Sequence, residues 1–157
     1  CINYTKADGT AISGGSFSSA GRIYLNTQQN NLSSGSATKV LLDAESFDTG
    51  SEGDPDTNNQ VDITDTGTYI VAAMLGWTNT VAGKSYRVQI YVNGAAVLRS
   101  QMQTATGTGD FEMPISGVVS ITAGQKIELY ATSMDDASTS DVAAGVTQTY
   151  LSWGRIA

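Results

Sequence analysis

The chain has 157 residues and a formal net charge of −7, with no histidine and a single cysteine, Cys1. This length suits one domain with its own core. Eight Lys and Arg dispersed along an acidic chain do not make the concentrated basic footprint that nucleic acid requires. The commonest general base and metal ligand is missing, no intrachain disulfide can form, and no run approaches the ~18 apolar residues of a membrane-crossing helix, so insertion is not expected.

Seventeen glycines, abundant Ser, Thr and Asn, and few charged side chains describe an all-β chain with many turns. Residues 1–21 lack sustained periodicity, carry Gly9, Gly14 and Gly15, and read as an N-terminal arm or linker ahead of a domain spanning 22–157. Arg22 to Asn26 is the first candidate strand, with Ile23 and Leu25 on one side. A polar connection leads to a second strand over Lys39 to Phe47, with Leu41 at its buried centre beside Val40 and Leu42. From Asp48 to Asp62 the run DTGSEGDPDTNNQVD reads as a loop of acids, amides and turn formers.

The block from Gly67 to Val97 is the most informative. Tyr86, Val88, Ile90 and Val92 alternate with Arg87, Gln89, Tyr91 and Asn93, the pattern of a half-buried antiparallel strand, and Asn93-Gly94 supplies a type I′ hairpin turn. The preceding strand, Tyr69 to Trp77, is apolar on both faces. One face needs the core, and the other needs a second apolar surface. A return strand follows over Ala95 to Thr104, and Phe111 to Ile121 carries Pro114, tolerated at an edge or bulge. After the Ala123-Gly124 turn, Ile127, Leu129 and Ala131 point one way and Glu128, Tyr130 and Thr132 the other. Met134 to Ala144 is a second acidic loop, and Thr149 to Ile156 closes the chain with apolar residues on both faces. These strands fit an antiparallel two-sheet sandwich or jelly roll, with a single-sheet barrel as the weaker alternative.

The order of FDTG, VDITDTGTYIVAAMLGW, VQIYVNG, ISGVVSITAGQKIELYATS and TYLSWGRI resembles the C1q/tumour-necrosis-factor-like jelly-roll family, whose fold also forms head domains of bacteriophage tail fibres. The resemblance covers roughly Arg22 to Ala157. Phe47-Asp48 and Gly50 match an F-D-x-G stretch, Gly67-Thr68-Tyr69 a G-x-Y strand entry, and Ile90 with Asn93-Gly94 a strand ending in N-G. ITAGQ stands where the family has L-x-x-G-D, with Gln125 replacing the usual Asp, a departure from the animal branch. The resemblance implies a homotrimer around a threefold axis, often preceded by a stalk, with Leu151 in the strand near that axis. Together with the aromatic positions it makes Tyr69, Trp77, Tyr130, Leu151 and Trp153 the expected trimer interface.

The chemistry available is sparse. Acid pairs at Asp54/Asp56 and Asp135/Asp136 are the minimum a glycosidase needs, yet both sit in hydrophilic turns, and no nucleophile elbow, phosphate loop or zinc helix occurs. No catalytic residue is assigned. Asp54, Asp56, Asn58, Asn59 and Asp62 are hard oxygen donors suited to Ca²⁺, and Asp135, Asp136 and Asp141 form a weaker second set. Exposed acidic turns are the competing reading of both. The expected function is a non-enzymatic trimeric virion structural or receptor-binding domain, as in a tail fibre or spike, which meets a host glycan or protein or other virion proteins. A secreted cellular C1q-like recognition module is the alternative.

Overall fold

The computed structural model describes residues 19–104, 109–134 and 140–156. Its strands are β1 (Ala20–Tyr24), β2 (Thr38–Lys39), β3 (Ala44–Asp48), β4 (Gly53–Asp54), β5 (Gln60–Asp62), β6 (Gly67–Thr78), β7 (Ser85–Val92), β8 (Ala95–Gln103), β9 (Phe111–Ile121), β10 (Lys126–Ser133), β11 (Asp141–Val142) and β12 (Tyr150–Arg155). They build two antiparallel sheets packed face to face, the jelly roll that the strand pattern implied. In the first sheet β6 is central, with β9 along one edge, β12 and then β11 along the other, and β1 and β3 beyond β12. In the second, β10 lies between β7 on one side and β5 and β2 on the other, with β4 and β8 at the margins. The expected arm falls on residues 1–18, outside the described set; β1 begins at Ala20, slightly ahead of the expected domain start.

Alternation along each strand decides what enters the core. Tyr69, Val71, Ala73, Leu75 and Trp77 of β6 face Tyr86, Val88, Ile90 and Val92 of β7 and Ile127, Leu129 and Ala131 of β10, with Leu151 and Trp153 completing the cluster. Trp77, Tyr86 and Phe111 pack as an aromatic trio, Trp77 and Tyr86 with centroids 4.9 Å apart. The hairpin after β7 turns at Asn93 and Gly94, both at positive φ (50° and 83°), as a type I′ turn demands.

Two sequence expectations are corrected. Lys39 to Phe47 is not one strand. Lys39 pairs with Tyr130 in the second sheet, whereas Ala44 pairs with Tyr24 in the first, so the chain crosses between sheets over residues 40–43. Val40 and Leu42 are fully buried in that crossing, and Leu41, expected at the centre, is 48% exposed. The acidic loop also holds more order than its composition suggested, because β4 and β5 pair within it.

That loop delivers Glu52, a fully buried carboxylate, to the seam between the sheets. One oxygen accepts from the Ser19 hydroxyl and from the Trp153 indole N–H (2.9 Å). The other accepts from the backbone N–H and the hydroxyl of Thr64, at 2.9 and 2.8 Å. Four donors thus meet one buried anion, the condition under which burial of a charge is tolerated. Gly21 leaves room for the Trp153 ring against β1; a Cβ there would fall 2.3 Å from the indole.

Candidate binding surfaces

The outer face of the first sheet carries the even-numbered residues of β6. Register sets Ile70 between Val118 and Gly154, Ala72 between Ser116 and Ser152, and Met74 between Pro114 and Tyr150. Across β12 the rows continue to Ala20, Arg22 and Tyr24, with Phe47 beyond Arg22. Val118, Phe47 and Ile70 are 63%, 49% and 43% exposed. Ala20, Phe47, Ile70, Ala72, Ser152, Trp153 and Gly154 line a shallow apolar groove of about 340 Å³. Arg22 is the cation of these rows; its guanidinium sits 4.4 Å from the centroid of the Tyr150 ring, a cation–π contact.

This placement corrects the expected interface residues. Tyr69, Trp77 and Leu151 are fully buried and Trp153 nearly so, all inside the core of a single chain. Their side chains are spent on the opposite sheet. Tyr130 stands on the outer face of the second sheet. The reasoning that β6 has one apolar face too many holds, but the extra face consists of Ile70, Ala72 and Met74. In a strand apolar on both sides, residue type alone does not reveal which parity turns inward.

The second sheet presents a different outer face. Tyr91 and Tyr130, on neighbouring strands, stack with ring centroids 4.1 Å apart and planes 31° from parallel. Burial, followed by the nearby Glu128 and Tyr91, raises the Tyr130 phenol above its ordinary pKa, because the phenolate is poorly solvated beside negative charge. In register with Tyr130 lie Lys39 on one side and Gln89 and then Arg99 on the other, while Arg87 pairs with Gln101 one row further along. Lys39 Nζ donates to Glu128 Oε1 at 2.6 Å and to Gln60 Oε1 at 3.4 Å, and Gln60 Nε2 in turn donates to Asp62 at 2.9 Å.

The proposed calcium ligands are not gathered into a cage. Asp54 accepts from the Thr57 N–H (3.2 Å) and from the Asn58 amide (2.5 Å), so these two candidates satisfy one another in a turn. The Asn58 bond chiefly holds the Asp54 carboxyl below its usual range. Asn59, at φ 52°, donates to the carbonyls of Leu42 and Pro55. Asp62 lies on the sheet opposite Lys126, and Asp56 is exposed. Among the described residues no three acidic or sulfur or imidazole ligands converge to hold a metal. In the second set, Asp135 and Asp136 lie outside the described residues, while Asp141 is buried and tied to the Asn31 N–H (2.7 Å), the Asn79 amide (2.5 Å) and the Gln28 amide (3.3 Å).

Sequence reasoning missed two things: the buried Glu52, and the gathering of Lys39, Arg99 and Lys126 beside Arg87 on the second sheet; it saw the extra apolar face of β6 but drew the interface residues from the wrong parity. Strand parity over Tyr86 to Val92 placed Arg87 on the face opposite the core, but nothing local to Arg99 or Lys39 shows that they join it.

No protein-family model matches this chain, and no curated protein matches it in sequence. Solved structures do. Eiger TNF from S. frugiperda superposes with a TM-score of 0.61 over 88% of this chain and 92% of its own, at 12% identity. Murine APRIL at pH 5.0 gives a TM-score of 0.67 over 88% of this chain and 98% of its own, at 13% identity. A second murine APRIL structure, at pH 8.5, gives 0.64 with the same coverage and identity. The fold is therefore the C1q/TNF-like jelly roll. At these identities the likeness concerns the fold, and function has to be argued from the surfaces.

Proposed function

We propose that this domain is a non-enzymatic recognition or structural head that works as a homotrimer. The observation that carries this reading is the apolar outer face of the first sheet, where Phe47, Ile70 and Val118 remain about half exposed beside a groove. Complete burial of such a side chain stabilises by ~1.5–3 kcal/mol, so each retains roughly 1 kcal/mol to gain from a neighbour. An acidic chain avoids burying its own charges against a copy, and this face offers mostly Ala, Gly, Ser and aliphatic rows. Three copies held rigidly would multiply weak contacts into useful avidity. The jelly-roll neighbours, which include a TNF, support the same reading.

We place the head on a virion appendage, engaged in host-surface attachment or particle assembly. What supports this is the Thr-, Asn- and Gly-rich, lysine-poor composition. A secreted cellular recognition module is the second reading, favoured by the animal origin of the structural neighbours. Size-exclusion chromatography with light scattering tests the assembly: three times the monomer mass is expected at micromolar protein. Ile70→Asp should yield a folded monomer, since an unpaired charge in a dry interface is strongly unfavourable. A monomeric wild type, or an Ile70→Asp trimer, would overturn the face assignment. Mass spectrometry of purified particles separates the virion reading from the secreted one.

A further inference from the structure

Half of the chain's eight Lys and Arg, separated by up to 87 positions in sequence, project from one face. Lys39, Arg87, Arg99 and Lys126 all lie on the outer side of the second sheet, fixed there by the register of β2, β7, β8 and β10. Of the carboxylates on this face, Glu128 lies beside the stacked tyrosines, opposite Tyr91 in register, and the others lie toward β5 and β4. Glu128 is taken by Lys39, Asp62 stands opposite Lys126, and Asp54 lies at the far β4 margin. That leaves the β7–β8 side with Arg87 and Arg99, neither of which has an ion-pair partner among the described residues. Arg87 is held by Gln101 Oε1, at 3.3 Å from Nε and 3.0 Å from one terminal nitrogen, so its other terminal nitrogen stays open.

Between these arginines and the stacked Tyr91–Tyr130 pair lies Gln89, only 6% exposed. Its carbonyl oxygen accepts from the Thr132 hydroxyl at 3.3 Å, and its amide nitrogen has no protein partner among the described residues. A nearly buried amide with an idle donor, beside a half-buried aromatic stack and two unpaired guanidinium groups, has the complementary chemistry of an acidic sugar. Sugar C–H faces pack on tyrosine, hydroxyls take amide donors, and a carboxylate or sulfate takes a guanidinium in bidentate fashion. In a chain of net charge −7 such a patch is selective, because screening confines each charge to roughly its own neighbourhood of about 8 Å.

We propose that the outer face of the second sheet, through Arg87, Gln89, Tyr91, Arg99 and Tyr130, binds a saccharide bearing a carboxylate or sulfate group. The proposal rests on the recognition reading above but not on the trimer, because the patch is complete within one copy.

Saturation-transfer NMR on the full chain tests it, with trigalacturonate, a sulfated chondroitin disaccharide and neutral maltotriose as probes. Transfer to one or both acidic probes and not to maltotriose is expected; a response from the sulfated disaccharide alone identifies sulfate as the group bound, and a response from trigalacturonate shows that a carboxylate suffices. Arg87→Gln with Arg99→Gln should weaken binding on the order of tenfold or more, the loss of a charge-assisted hydrogen bond. Tyr130→Ala should weaken it similarly, while Tyr130→Phe should retain it. Wild-type affinity should also fall as salt rises, a readout that needs no variant. Absence of transfer to both acidic probes, equal transfer to maltotriose, salt-independent affinity, or full binding by the folded arginine variant would each overturn the proposal. Because light scattering reads assembly separately, failure of this site and failure of the trimer are distinguishable.

Discussion

Replacing Glu52 with glutamine changes one oxygen to an NH₂ group in a site built entirely of donors. If the amide nitrogen faces Ser19 and Trp153, the serine hydroxyl can turn to accept, but the indole N–H cannot. If it faces Thr64, the threonine hydroxyl can accept, but the backbone N–H cannot. Either orientation strands one buried obligatory donor, at about 1–3 kcal/mol, and the remaining bonds lose charge assistance. The expected total is about 2–4 kcal/mol. For a domain of this size, 1 kcal/mol shifts Tm by about 2–4 °C, so Glu52→Gln should lower Tm by roughly 5–15 °C at matched protein concentration. Differential scanning calorimetry of Glu52→Gln, Trp153→Phe and the double variant is the assay. Trp153→Phe removes the donor that the glutamine would strand, so the double variant should be more stable than the two single losses added together. A Glu52→Gln protein within about 0.5 kcal/mol of wild type, the range of an ordinary surface substitution, would refute the donor count.

Further outcomes follow from packing and titration. Gly21→Ala forces a methyl into the rigid Trp153 ring and should cost about 2–3 kcal/mol, read as a lower Tm. Gly117→Ala meets only the movable end of Leu98, 2.7 Å away, and should cost less. Tyr69 is buried and its phenol donates to the Asp65 carbonyl at 2.8 Å. Burial first, and then the charge of Glu52, raise its pKa above the ordinary 10.0. Its neutral form is thus favoured in the folded state, and stability present below that ordinary value is lost as pH climbs through the raised one. Tyr69→Phe should flatten the alkaline limb of Tm against pH. An unchanged limb would show that other groups control it.

Strand alternation over Tyr86 to Val92 and the Asn93-Gly94 turn made the sheets legible, because period and turn chemistry are local properties. The same local patterns misjudged Lys39 to Phe47, where the chain changes sheets and the inward parity breaks at Leu41. They also treated the DTGSEGDPDTNNQVD run as loop throughout, since Glu52 is buried only because donors from Ser19, Thr64 and Trp153 converge on it from distant parts of the chain.

The sequence by itself determined an all-β sandwich and the surplus apolar face of β6, because both follow from the alternation and composition of individual strands. Only the tertiary structure decided which parity of β6 turned inward, taking Tyr69 and Trp77 into the core and leaving Ile70 and Ala72 outside. It likewise decided that cations dispersed as Lys39, Arg87, Arg99 and Lys126 share one surface. Strand register is a long-range property, fixed by which strands pair across tens of residues, so charge that looks scattered along the chain can be concentrated in space.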